Sequence, residues 1–340
     1  MVTIKQIAER AGVSTATVSN VLHGKIKKVS PETVEKVRKL IDEMGYVQPM
    51  GLRVLRKSHS QLVAVIINYH LAFENSVLSD PFYGMVIGVI QEELRKNGYY
   101  MMLYSAPDVD SIFKMVMTWN VDGVIAISFS DVNCEKLANM VQKPLISIDR
   151  YTSVKGTQVT APNIGLDDRM GGYLMTNYLL EQGYESIYVC AYRNFGVDAT
   201  RWQGALQADE RSHPRNENRL KMIELGSSLK EREKCYAQLI RQMPFRKRTA
   251  LFFMSDCVAM EANSYLAESG IRVPADVGIA GFDDSSNAAK FSVPRLTTVH
   301  QDFRAKGKLA VGEMVRALQD PEYKMQSHIL PVSLVIRNSV

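Results

Sequence analysis

Apolar residues at Ile4, Ile7, Ala8 and Ala11 repeat at the three- and four-residue spacing of one helical face. Thr3 and Gln6 bracket its start as a capping box, and Gly12 is placed to stop it. Ser14 then caps a second predicted helix that turns Val18, Val21 and Leu22 inward and ends near Gly24. Ser30-Pro31-Glu32 opens a third, with Val34, Val37, Ile41 and Met44 on its buried side and Gly45 after it. Beyond residue 60 the pattern changes. Short apolar runs at Leu62–Ile67, 100–104, 123–127, 144–148, 187–191, 250–254 and 277–280 alternate with helical stretches, one of them opened by Asp80-Pro81 and running to about Asn97. Such alternation predicts two doubly wound lobes of parallel sheet, with a ligand cleft between their strand ends.

The second helix does not read as a core helix. Five of the eight residues in VSTATVSN are Ser, Thr or Asn, which hydrogen-bond well but form helices indifferently. Only Gly12-Val13 separates it from the first helix, the tight link of a helix-turn-helix. In that motif the second helix enters the major groove and shows its N-terminal residues to base edges. Short hydroxyls let the backbone approach phosphates, Asn20 has the geometry for a bidentate contact to adenine, and Ala16 suits a thymine methyl. A Ser/Thr-rich surface helix is the bland alternative.

Charge strengthens the first reading. Residues 1–60 hold eleven Lys or Arg against five Asp or Glu, whereas the other 280 hold 30 against 31. A basic module before a near-neutral body suits a polyanionic partner. Composition excludes other classes: no apolar run approaches the roughly 20 residues that span a bilayer, and no apolar signal core begins the chain, so a cytoplasmic location is expected. Cys134, Cys190, Cys235 and Cys257 have no paired spacing and read as reduced thiols. The six histidines lack metal-ligand spacing, no G-x-G-x-x-G, G-x-S-x-G or H-E-x-x-H occurs, and neither a metal, a cofactor nor an enzymatic activity is expected. Gly51 to Ser58 nearly fits a phosphate loop, but Arg56 stands where the second glycine must be.

The stretches TIKQIAERAGVSTATVSNVL and VSPETVEKVRKLIDEMGY resemble the headpiece of the lactose-repressor/galactose-repressor family of bacterial transcription regulators, and the likeness runs through most of the chain. The resemblance implies bases read by Thr15, Ala16 and Asn20, and phosphates met by Thr3, Ser14, Thr17, Ser19 and Ser30. The segment LHGKIKKV is one residue longer than common members; His23 is counted among the DNA contacts, and the lysines that follow are assigned to the phosphate backbone. In the hinge, Leu55 is assigned as a minor-groove wedge with Arg53 and Arg56 near phosphates, although this chain lacks the usual asparagine and is one residue short; a basic linker that never folds is the alternative.

The implied organisation is an all-α helix-turn-helix headpiece (1–46), a hinge (47–61) and an α/β effector and dimerisation domain (62–340) resembling periplasmic sugar-binding proteins. Lobe one is expected over 62–160 and 291–320, and lobe two over 161–290 and 321–340. Matching positions nominate Phe82, Tyr83, Asp149, Arg201, Ser255 and Asp283 as effector contacts. Each has a structural alternative, such as an interlobe ion pair for Arg201, a turn-capping role for Asp283 or helix packing for Phe82. The function implied is a repressor that binds a palindromic operator as a homodimer under a small-molecule effector, a sugar or sugar derivative. A body answering chiefly to a protein co-regulator is the alternative.

Overall fold

The computed structural model describes residues 2–47, 59–68, 78, 80–152, 158–192, 195–212, 219–242, 248–285 and 288–340. The chain divides into two compact units, 1–60 and 61–340. In the first, α1 (Ile4–Ala11), α2 (Thr15–Leu22) and α3 (Pro31–Glu43) enclose a small core of Ile7, Ala8, Ala11, Val18, Val21, Val34 and Val37. All three begin with a side-chain cap, and Thr3 with Gln6 forms the reciprocal capping box. Gly12 ends α1 at φ +71°, a left-handed turn open to glycine, and so allows the tight link to α2. A single 3₁₀ turn over Ile26–Lys28 joins α2 to α3.

The second unit contains two six-stranded sheets of matching plan. The first has the order β11-β5-β4-β3-β1-β2, from β1 (Leu62–Asn68), β2 (Tyr100–Ala106), β3 (Gly123–Ile127), β4 (Leu145–Ile148), β5 (Asn163–Leu166) and β11 (His328–Leu330). The other has the order β12-β10-β9-β8-β6-β7, from β6 (Ser186–Ala191), β7 (Leu220–Glu224), β8 (Thr249–Phe253), β9 (Gly278–Asp283), β10 (Thr297–His300) and β12 (Ser333–Val335). Every pairing is parallel except β10 with β12. The central strands are buried along their whole length, as parallel strands covered by helices on both faces must be. Helices α4 (Pro81–Lys96), α5 (Val109–Trp119), α6 (Asp131–Val141) and α12 (Phe303–Gln319) belong with the first sheet. Helices α7 (Asp168–Glu181), α8 (Gly196–Ser212), α9 (Leu229–Gln242), α10 (Asp256–Glu268) and the short α11 (Ala288–Phe291) belong with the second.

The chain passes between the lobes three times, but not at the boundaries expected from sequence. Residues 163–166 stay in lobe one, because Asn163 and Ile164 pair with Ser147 and Ile148 of β4. Strand β10 joins lobe two by pairing with β9, so the second crossing falls after His300 rather than before residue 291. Strand β11 pairs with β5 and returns 328–330 to lobe one. Strands of three or four residues, at or next to a sheet edge, hold too little apolar pattern to declare their sheet; backbone pairing decides it.

Candidate functional site

In the headpiece, Thr15, Ala16 and Asn20 are exposed on α2, while Thr17, Ser19 and His23 are half-buried. Thr3, Ser14 and Ser30 are exposed and serve as helix N-caps. The Ser14 hydroxyl accepts from the Thr17 amide at 3.1 Å and shares a 2.9 Å hydrogen bond with the Thr17 hydroxyl. Ser30 repeats this arrangement with Thr33. Each cap therefore lies beside unpaired helix-start amides, where the helix dipole favours an anion. Lys25, Lys27 and Lys28 are exposed beside the 3₁₀ turn. Arg53, Leu55 and Arg56 lie outside the described residues.

In the second unit the carboxyl ends of the two sheets face a cleft of about 240 Å³. Phe82, Tyr83, Asp149, Arg201, Ser255 and Asp283 all line it. Asn68, Asp80, Ser128 and Tyr151 complete the lobe-one wall, and Tyr192, Phe195, Asp198 and Met254 belong to that of lobe two. Tyr151 and Phe195 reach across from opposite lobes, with ring centroids 6.0 Å apart. Phe82 packs edge-on to Tyr83 and Phe303, so helix packing and cleft lining coexist in one ring. The Tyr83 hydroxyl donates to Ser128 at 3.1 Å.

Arg201 is held by close packing of α7 on α8. A Cβ added at Gly172 would collide with the Arg201 carbonyl, and one at Gly204 with the Arg169 carbonyl. The two glycines let the helix backbones touch and set Arg201 over the Phe282 ring, its guanidinium carbon 3.5 Å from the centroid. Its Nε donates to Asp168 at 2.8 Å, and another nitrogen donates to the Met254 carbonyl. The ion pair is thus within lobe two, not between lobes. Burial opposes the Arg201 charge, but the carboxylates of Asp168, Asp283 and Asp198 outweigh it and hold its pKa above the ordinary value. Ser255 caps α10 by accepting from the Cys257 amide.

Asp149 and Asp283 occupy matching places, at the ends of β4 and β9, and both have positive φ (50° and 117°). Such conformations are strained for non-glycine residues and cluster at functional sites. Their partners differ. Lys306, fully buried on α12, donates to both Asp149 oxygens (2.9 and 2.7 Å) and to Gln301 Oε1 (2.6 Å). Lysine only donates, so Gln301 must turn its oxygen to Lys306 and its amide to Asp283, which it reaches at 2.7 Å. The chain Asp149–Lys306–Gln301–Asp283 therefore joins the lobes beside the second crossing. Burial pushes the Asp283 carboxyl up to about 7, with Arg201 opposing and Asp80 adding to the rise. Asp80, which caps α4 through the Phe82 amide, is also raised by burial.

Reasoning from sequence did not single out Lys306, Gln301, Asp168 and Asp80 as site residues. Lys306 had a legible signal: it sits on the same helical stripe as Phe303, Ala310 and Met314, a charge on a buried face. Gln301 had none, since only the crossing brings it to the cleft, and Asp168 enters only through its contact with Arg201, outside the cleft lining. Among the described residues no metal-binding cluster of His, Cys, Asp or Glu occurs, and no helix is long and apolar enough to cross a membrane.

A trihelical headpiece is thus followed in the chain by a two-sheet α/β domain that contains a cleft. Residues 3–48 match the family described as bacterial regulatory proteins, lacI family, and 176–340 match a periplasmic binding protein-like domain. The HTH-type transcriptional repressor PurR of Pasteurella multocida is 28% identical over 352 residues, covering 100% of this chain and 99% of that protein. Among solved structures, the lac repressor dimer bound to operator and the anti-inducer ONPF aligns with a TM-score of 0.79 at 23% identity, over 99% of this chain and 98% of that one. A complex of the transcriptional regulator CelR with cellobiose aligns at 0.70 and 23% identity over all of both chains. The chain thus carries a lacI-type DNA-binding segment and a periplasmic binding protein-like domain, and the relatives it resembles are named transcriptional repressors.

Proposed function

We propose that this protein is a cytoplasmic repressor that binds a palindromic operator as a homodimer and releases or tightens its grip when a sugar or sugar derivative occupies the cleft. The carrying observation is the meeting of six effector-contact candidates, from both lobes, in one aromatic-walled cleft. A cleft so formed favours a small-molecule effector over a body that answers chiefly to a protein co-regulator. The CelR complex holds cellobiose, which supports a saccharide as the effector class. On the DNA side, Thr15, Ala16 and Asn20 read bases, Thr3, Ser14, Thr17, Ser19 and Ser30 meet the backbone, and His23 is a further DNA contact. Arg53, Leu55 and Arg56 make the hinge contacts. The effector shifts operator affinity only as far as it binds two lobe arrangements unequally.

The test is selection of a duplex from a random pool, followed by anisotropy titration at moderate salt with and without a saccharide panel. The expected outcome is a two-fold symmetric site whose affinity changes with one panel member. Asn20→Ala should cost about 1–3 kcal/mol and relax preference at one base pair. Binding of all duplexes alike, with or without every panel member, would sink the proposal.

A further inference from the structure

We propose that the cleft is built for a ligand bearing a protonated amine on a ring that stacks against its aromatic walls, and that it rejects phosphorylated ligands. The inference rests on reading the cleft as the effector site. Four carboxylates line it, Asp80, Asp149, Asp198 and Asp283, and Arg201 is the one cationic side chain among the described lining residues. That cation's charge is already balanced by Asp168 at 2.8 Å and by the nearby carboxylates of Asp283 and Asp198, and one of its Nη donors is held by the Met254 carbonyl. The next, Lys306, lies fully buried behind the wall, with its three donors directed to two oxygens of Asp149 and one of Gln301. An ammonium has only three donors, so none is left to turn towards an incoming anion.

Of the four, Asp149 is paired with Lys306 and Asp198 accepts from the Tyr192 amide at 3.2 Å, so the charge balance turns on Asp80 and Asp283. Asp283 accepts from a neutral amide, Gln301, and Asp80 from the Phe82 backbone. No ion pair reaches either carboxylate among the described residues. The two repel each other, and burial raises both above the ordinary carboxylate range. A ligand phosphate would add negative charge to this surplus. An ammonium would neutralise it and favour the charged form of Asp283, while Phe82, Tyr83, Tyr151 and Phe195 offer aromatic surface to the ring and the cation.

The experiment is calorimetric titration of the full-length protein with two trios, each of one scaffold in cationic, neutral and anionic form. One is D-glucosamine, D-glucose and D-glucose 6-phosphate; the other is 5′-amino-5′-deoxyadenosine, adenosine and adenosine 5′-phosphate. Inorganic phosphate controls for binding at the basic headpiece. Within a trio that binds, the ammonium member should exceed its neutral parent by about tenfold and the phosphate member should fall below it. Asp80→Asn, which keeps the cap acceptor, should narrow that ratio. A phosphate member that equals or exceeds the neutral parent, or an ammonium member that does not, overturns the proposal.

If neither scaffold binds, Cys257 decides. It is exposed next to the cleft residue Ser255 and within electrostatic reach of Asp80 and Asp283. In a Cys235→Ser background, a trimethylammonium methanethiosulfonate should modify Cys257 faster than the sulfonate reagent by about tenfold more than it does a free thiol. A ratio no greater than the free-thiol ratio overturns the proposal. Operator binding separates the two readings: a charge preference without any effector response sinks the regulator mechanism alone, and the reverse result sinks this inference alone.

Discussion

The two lobes share one topology and use it differently at the cleft. Each sheet ends β4 or β9 with a strained aspartate, and each follows its next strand with an aspartate N-cap, Asp167 in front of α7 and Asp302 in front of α12. Yet lobe one neutralises Asp149 with a buried lysine, while lobe two spends its buried arginine on Asp168 and leaves Asp283 only an amide. The helices differ too. In lobe two, α7 and α8 approach to backbone contact through Gly172 and Gly204, whereas Gly84 and Gly88 of α4 have nothing within 4 Å of an added Cβ. Repeating a fold places the cleft; charge and close packing make its two walls unequal.

The largest effect should come from breaking the helix contact. Gly172→Ala or Gly204→Ala should destabilise the body by about 4 kcal/mol or more, since the obstacle is backbone that cannot rotate away. Denaturant unfolding measures this, and a loss below about 1 kcal/mol would mean that α7 and α8 do not pack as described.

Lys306→Met should cost about 3–5 kcal/mol, because Asp149 keeps its charge without a partner. Adding Asp149→Asn should restore most of the loss, and a double-mutant cycle reads the coupling. Additive losses would remove the pair from the account.

Asp283 gives a pH signature. It is faced by Arg201 from α8, Asp80 from the start of α4, Gln301 at the crossing, Lys306 from α12 and Asp256 from α10. With its folded pKa about 7 and its unfolded pKa in the ordinary carboxylate range, the native state holds the proton more tightly. Its contribution is therefore full below about pH 4 and is lost as pH rises to about 7. Asp283→Asn should flatten the fall in melting temperature across that window; an unchanged pH slope would show that Asp283 ionises normally.

The smallest effect is expected in lobe one. Gly84→Ala and Gly88→Ala should be neutral or stabilise by about 0.5–1 kcal/mol, since helix propensity improves and nothing obstructs the methyl. Marked destabilisation would erase the contrast between the lobes.

Much of this was legible before any coordinates. The helices of the headpiece announce themselves because caps, stripes and stops are local: Thr3, Ser14 and Ser30 act within three residues of themselves. The central strands β1, β3 and β8 could be read because strands buried on both faces are continuous apolar runs. The short outer strands were not: β5, β10 and β11, at or next to a sheet edge, carry short, mixed patterns, and only pairing with a neighbour assigns them to a lobe.

Local chemistry therefore determined the elements, the basic headpiece and the residue types the cleft draws on. Tertiary structure alone decided which partners those residues took. Arg201 meets Asp168 across a helix contact 33 residues deep in sequence, and Lys306 meets Asp149 across 157. No local pattern encodes such pairings, because the strength of a buried charge contact depends on the distance and the burial that the finished fold creates.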